Sequence, residues 1–302
     1  MLNQRPIFLN CFSRGGSNIL WNMLLSHPQV CSPIRETLEI FYFGRRKLTW
    51  PGFWVRVLSL QPRLFDQWYL APRRPIAAAA GRYLDAVLYR AKLSTLQDPE
   101  MRFRAPGEVY SEAEVAAARL VAKNNNGLTF LAERLQELYP EATFFGLLRH
   151  PLALYESHKR RAITPSVEAF ARFYNALAGR MVADSQRLPR YHLLRFEQLV
   201  TSPLEAVEEI YQHAGLDFGA VRQLRFKCKP HLQKDGSHRS QFAAGEHRWF
   251  DFEDVPAFLE PSIDQLQAER VDPVEAGRLL ELTAPVLAQA GYLPEVAGGL
   301  PR

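Results

Sequence analysis

Ser13-Arg14-Gly15-Gly16-Ser17-Asn18 has the chemistry of an anion holder. The stretch follows a short apolar run, Ile7–Phe12 (IFLNCF), and leads into Asn18–Ser26 (NILWNMLLS), which carries helical apolar spacing. A loop between a strand and a helix aims several backbone N–H groups and the positive helix end at one point. The two consecutive glycines allow the backbone to close around a bulky anion. Ser17 and Asn18 add side-chain donors, and Arg14 adds a fixed positive charge. The lysine-bearing G-x-x-x-x-G-K-[ST] loop of ATP users is absent, which weighs against a kinase. A plain strand-to-helix turn capped by Ser17 would use the same residues.

A second group lies in TFFGLLRHPLALYESHKRR. Arg149 ends an apolar strand, Thr143–Leu148, where ligands of open α/β sheets bind. Pro151 suits the first position of a helix. Ser157 then falls about two turns in, with Arg160 and Arg161 one turn further. Arg149 as a fork, Ser157 as a hydroxyl and Arg161 as a charge can hold a second phosphate. The alternative is an Arg149 ion pair to a neighbouring helix, with Arg160-Arg161 on a solvated face.

The elements that must position these groups follow from the apolar pattern. Strands are expected at Ile7–Phe12, Val30-Cys31, Leu120–Ala122, Thr143–Leu148 and Tyr191–Leu194. Helices are expected at Asn18–Ser26, Ser111–Ala118, Leu128–Leu138, Leu152–Arg161, Val167–Gln186, Leu204–Ala214 (ended by Gly215) and Pro273–Ala290. This alternation predicts an α/β fold, a parallel sheet with helices on both faces. A single domain over 1–302 is expected, with a mostly helical insertion at about 40–110. With 302 residues and 47% hydrophobic content the chain can bury a substantial core.

These two anion sites, read with three further segments, resemble the sulfotransferases that use 3′-phosphoadenosine 5′-phosphosulfate (PAPS). Arg14-Gly15-Gly16-Ser17-Asn18-Ile19-Leu20 is similar to that family's 5′-phosphosulfate motif, R-S-G-T-T-L-L. Arg149, Pro151 and Ser157 match the spacing of its 3′-phosphate motif. Val121-Ala122-Lys123, Leu138–Ala142 (LYPEA) and Arg195–Val200 (RFEQLV) with Pro203 resemble its intervening segments in the same order. In motif style the nearest members are the tyrosylprotein, carbohydrate and bacterial types. Gly15, Asn18 and Phe196 depart from the usual Ser, Thr or Lys, and Tyr.

The resemblance implies a P-loop-NTPase-like sheet, PAPS as co-substrate, no metal, and sulfuryl transfer to a hydroxyl or amine of an unidentified acceptor. It implies that Arg14, Gly15, Gly16, Ser17, Asn18, Arg149, Ser157 and Arg161 hold the nucleotide. Arg14 and Lys123 would neutralise charge on the transferring group. Glu36, in Pro33–Thr37 (PIRET), would be the general base, with Glu39 as substitute. Ser240–Trp249 stands where the family has a loop that closes over the nucleotide.

Charge and composition bound the alternatives. The net charge of +5 suits an anionic ligand but is weak for nucleic acid. Arg45–Arg104 carries 12 Lys/Arg against 4 Asp/Glu, and includes Trp50, Trp54 and Trp68. That segment is expected to shape the acceptor pocket or to rest on an anionic membrane surface. Neither a signal peptide nor a transmembrane run is visible, and the three cysteines form no Cys-x-x-Cys pair, so a cytoplasmic setting is expected. The eight histidines lack metal-ligand spacing. A phosphotransferase or other P-loop nucleotide-binding protein, and a non-catalytic nucleotide-binding relative, are the competing readings.

Overall fold

β1 (Ile7–Cys11) runs fully buried through the middle of a five-stranded parallel sheet of order β2-β5-β1-β6-β7. The structure is a computed structural model. It describes residues 2, 5–33, 78–228, 231–232, 238–239 and 245–292. In chain order, β1 leads to α1 (Ser17–Leu25), β2 (Val30–Cys31), α2 (Ala78–Leu93), β3 (Phe103–Ala105), β4 (Glu108–Val109), α3 (Glu112–Ala117) and β5 (Arg119–Asn125). Next come α4 (Ala132–Leu138), β6 (Thr143–Leu148), α5 (Pro151–Lys159), α6 (Val167–Arg187), β7 (Tyr191–Arg195), α7 (Phe196–Thr201) and α8 (Pro203–Ala214). The chain continues through β8 (Gln223–Lys227), β9 (His231–Leu232), β10 (His238–Arg239), β11 (His247–Asp251), α9 (Val255–Leu259), α10 (Ser262–Ala268) and α11 (Pro273–Gln289).

Strand alternation sorts the core into two layers. Phe8, Ala122, Phe144 and Leu148 face one cluster, closed by α4, α5, α6 and α11. Ile7, Leu9, Val121, Phe145 and Leu147 face the other, closed by α1, α7, α8, β8 and α9. Burial of each of the Val, Leu, Ile and Phe side chains among them contributes about 1.5–3 kcal/mol. The α/β parallel-sheet fold expected from the apolar pattern is therefore the one observed.

β1 is the switch point of the sheet. The chain leaves it toward β2 on one side and later returns to β6 on the other, so a crevice opens at its carboxyl end. A polar ladder lies beneath that crevice. Asn124 Nδ2 donates to Asn10 Oδ1 at 3.1 Å, and Asn10 Nδ2 donates to the Tyr191 hydroxyl at 3.2 Å. Gly146, on the strand between them, makes this reach possible, because a Cβ there would meet the Tyr191 ring at 2.7 Å.

Several boundaries differ from expectation for identifiable reasons. β5 extends to Asn125, past the apolar Leu120–Ala122, because it pairs with β1 up to Cys11↔Asn125. The expected Leu128–Leu138 helix begins as a 3-10 turn, Asn126–Leu131, after Asn126 adopts a φ of 52°. α5 stops at Lys159, so Arg160 and Arg161 lie beyond it. Ala162 takes a left-handed φ of 52°, and Ile163 N–H and Ala162 N–H return to the carbonyls of His158 and Lys159, a Schellman closure. Of the expected insertion, residues 40–77 lie outside the described residues. The part from 78 onward holds α2, a 3-10 turn (Ser94–Gln97) and the β3–β4 hairpin.

Candidate active site

The loop between β1 and α1 is built from both sides. Gly15 N–H donates to Phe12 O at 3.0 Å, and Arg14 sits at φ 67°, strained for a residue with a Cβ. Gly16 is the N-cap of α1 at φ 84°, and a Cβ on it would lie 2.0 Å from the Phe196 ring. Only glycine fits, in conformation and in space. Ser17 is the first helical residue rather than a side-chain cap, since α1 has no side-chain capping bond. Ser13 N–H donates to Asn126 Oδ1 (2.8 Å), Asn126 Nδ2 donates to Ser13 Oγ (3.0 Å), and His158 Nε2 donates to Ser13 O (2.9 Å). The loop is thereby fastened to the 3-10 turn that follows β5 and to α5.

A cleft of about 310 Å³ opens over this loop. Arg14, Gly16, Ser17, Asn18, Lys123 and Arg149 line it, and Phe196, Phe226, Phe258 and Leu259 add an apolar wall. Lys123, on β5, donates from Nζ to Asn18 Oδ1 at 2.6 Å and lies 4.4 Å from the centre of the Trp21 ring. Asn18 therefore serves the lysine as an acceptor, beyond the donor role expected of it.

Arg14 and Ser157 meet across the second group, with Arg14 Nε donating to Ser157 Oγ at 3.4 Å. The Arg14 guanidinium is held below its ordinary pKa by burial and then by Arg161, Arg160 and Arg149, with Glu156 opposing. Such mutual repulsion marks a place where an anion is favoured. Arg161 is exposed and acts through charge. Arg149 also realises the alternative reading, since it pairs with Asp264 of α10 while donating from Nη1 to Arg14 O at 2.7 Å.

Gly15 and Ser157 are buried beside the cleft rather than in its lining. Glu36 and Glu39 lie outside the described residues, as do 240–244 of the expected closing loop. Asp264, Gln267 and Asn126 were not foreseen as site residues. Their roles come from contacts across more than 100 positions, which leave no local pattern. Phe196, which stands where the family has Tyr, packs under Gly16 with Arg149 4.7 Å above its ring.

A model of the sulfotransferase family matches residues 6–220, most of the chain and all the strands of the parallel sheet. The chain belongs to the sulfotransferase family. No curated protein matches this sulfotransferase in sequence. Among solved structures, it is similar to the sulfotransferase domain of the Synechococcus PCC 7002 olefin synthase at 17% identity, covering 93% of this chain and 94% of that one, with a TM-score of 0.48. The sulfotransferase domain of the curacin biosynthetic pathway aligns at 17% identity, 94% and 99% coverage and a TM-score of 0.49. Mouse sulfotransferase SULT7A1, solved with PAP, aligns at 10% identity, 95% and 85% coverage and a TM-score of 0.44. No described helix of this sulfotransferase is long and apolar enough to cross a membrane. Its described residues contain no group of three His, Cys, Asp or Glu placed to hold a metal.

Proposed function

We propose that this family member transfers the sulfuryl group of PAPS to a hydroxyl or amine, using Arg14, Gly15, Gly16, Ser17, Asn18, Arg149, Ser157 and Arg161 to hold the nucleotide. The observation that carries the reading is the meeting of two anion-holding groups at one cleft, at the carboxyl edge of the sheet. One is the N-terminus of α1 with Lys123; the other is Arg14 and Arg149 in the lining, with Ser157 bonded to Arg14 beside it and Arg161 acting on Arg14 through charge. Their chemistry fits a nucleotide bearing two separate anionic groups, and PAP, found with SULT7A1, is such a nucleotide.

PAPS supplies an activated sulfuryl group whose transfer is an in-line displacement. The amides of Gly16 and Ser17 open α1 and have no partner within the helix, which suits them to donate to a leaving phosphate, and Lys123 and Arg14 would add positive charge beside it. Phe196, Phe226 and Phe258 exclude water along one wall. Glu36 is assigned as general base on motif resemblance alone, with a contribution of about 10²–10⁴-fold. Glu36→Gln should keep nucleotide binding and lose turnover; unchanged turnover removes it from the mechanism.

Isothermal titration with 3′,5′-adenosine bisphosphate (PAP), with ATP and 5′-AMP as controls, tests the proposal. Selective PAP binding that weakens in Arg149→Ala and Ser157→Ala is expected. No PAP binding, or a preference for ATP with magnesium, overturns it.

A further inference from the structure

Arg149 carries five N–H donors in a fixed fork. Nε donates to Asp264 Oδ1 at 2.7 Å, Nη2 donates to Gln267 Oε1 at 2.6 Å and also pairs with Asp264 Oδ1, and Nη1 donates to Arg14 O at 2.7 Å. Among the described residues, a single Nη1 N–H is left for any ligand. Asp264 and Gln267 stand three apart on α10 and so share one helix face. Both lie beyond the 6–220 segment that the family model matches.

The pair is nearly closed to water, with both side chains 7% exposed. Yet, among the described residues, it is incompletely satisfied, because Asp264 Oδ2 is buried with no hydrogen-bond partner there. A carboxylate built solely to support Arg149 would have both oxygens satisfied. Asp264 has the charge and planar two-oxygen face of a phosphate edge, and it occupies the guanidinium edge that a phosphate would use. A phosphate brought to Arg149 meets like charge while Asp264 stays seated.

We propose that Asp264, steadied on α10 with Gln267, is a specificity-setting residue of the second anion site: its carboxylate holds the edge of Arg149 that a nucleotide 3′-phosphate takes by displacing it. This rests on the nucleotide reading above. A nucleotide with a bare 3′-hydroxyl leaves the Arg149–Asp264 pair intact, so the pair sets how strongly the protein prefers a 3′-phosphate.

The test compares PAP with ADP on the full chain. Asp264→Asn keeps an oxygen to accept from Nε and removes the competing charge. PAP should bind about tenfold tighter to it, with ADP changed less than twofold. PAP affinity that is unchanged or weaker shows Asp264 to be a mere support and overturns the proposal. Should Asp264→Asn fail to fold, hydrogen exchange on the wild type decides. PAP should speed exchange of amides 262–268 and ADP should not; slowed or unchanged exchange with bound PAP overturns it. If the wild type binds no PAP, the nucleotide reading falls and this one with it. If it binds PAP and the variant does not tighten, only this inference falls.

Discussion

Lys123 Nζ lies 2.6 Å from Asn18 Oδ1, joining the central sheet to the first turn of the helix that begins at the glycine loop. The Trp21 ring closes the other side of the ammonium at 4.4 Å, and Trp21 is itself fixed by its Nε1 donating to Ser32 Oγ at 3.0 Å. The lysine is thus held at the mouth of the loop rather than left to sample solvent. Lys123→Met should lower kcat by about 10²–10³-fold, the scale of losing one preorganised charge-stabilising donor. PAP affinity should change only a few-fold. Single-turnover transfer and titration together check this, and equal losses in both would make Lys123 a binding residue only.

Gly16 and Phe196 are fitted to each other. Gly16→Ala places a methyl 2.0 Å from the ring in a left-handed conformation, so the variant should lose about 2–4 kcal/mol of stability. Gly16→Ala/Phe196→Ala should recover the steric part and keep the backbone part. Denaturant unfolding of the three variants gives the coupling; strict additivity would show that the contact is not felt.

Ser157 and Arg161 should separate in their effects on nucleotide affinity. Ser157 is buried and receives the Arg14 Nε donor, so Ser157→Ala should weaken PAP binding by about tenfold. Exposed Arg161 acts through space, so Arg161→Ala should cost about two- to fivefold, an effect that shrinks in high salt. Titrations at low and high ionic strength distinguish the two.

His150 makes stability depend on pH. Burial holds its pKa at about 4, with Asp264 only partly opposing, whereas the unfolded chain titrates near 6.5. Between these values the unfolded state binds the extra proton. Stability present above pH 6.5 is therefore lost as pH falls toward 4, at up to about 1.4 kcal/mol per pH unit. His192, depressed to about 4 by burial and by the stacked His213, acts in the same direction. His150→Gln should flatten the slope in this window, as followed by urea unfolding at several pH values. An unchanged slope would show that the buried imidazole carries none of it.

Local chemistry made much of this molecule readable from its residues. The apolar run TFFGLL became β6 with the expected bounds, since six consecutive buried residues leave no other register. Pro151 opens α5 and Gly215 closes α8, because fixed φ and freedom at positive φ are properties of single residues. The strand, glycine loop and helix at 7–25 were visible for the same reason. Arg14, Gly16, Ser17, Asn18 and Arg149 follow from loop chemistry and spacing, Lys123 from the family resemblance, and all six share one cleft.

The tertiary structure alone decided which partners those residues meet. The antiparallel pairing of β8 with β11 was missed, because the alternation of β8 (QLRFK) spans only five residues, β11 (HRWFD) has none, and both are stabilised by packing in the cluster of α1, α8 and α9. Asp264 reaches Arg149 across 115 positions, and Phe196 reaches Gly16 across the sheet edge. The sequence by itself determined the types of group present and the local elements that carry them, because propensity, capping and periodicity act within a few residues. Whether Arg149 would face a ligand or a carboxylate, and whether Asn18 would give or accept a hydrogen bond, depended on long-range packing that brings distant side chains into one crevice.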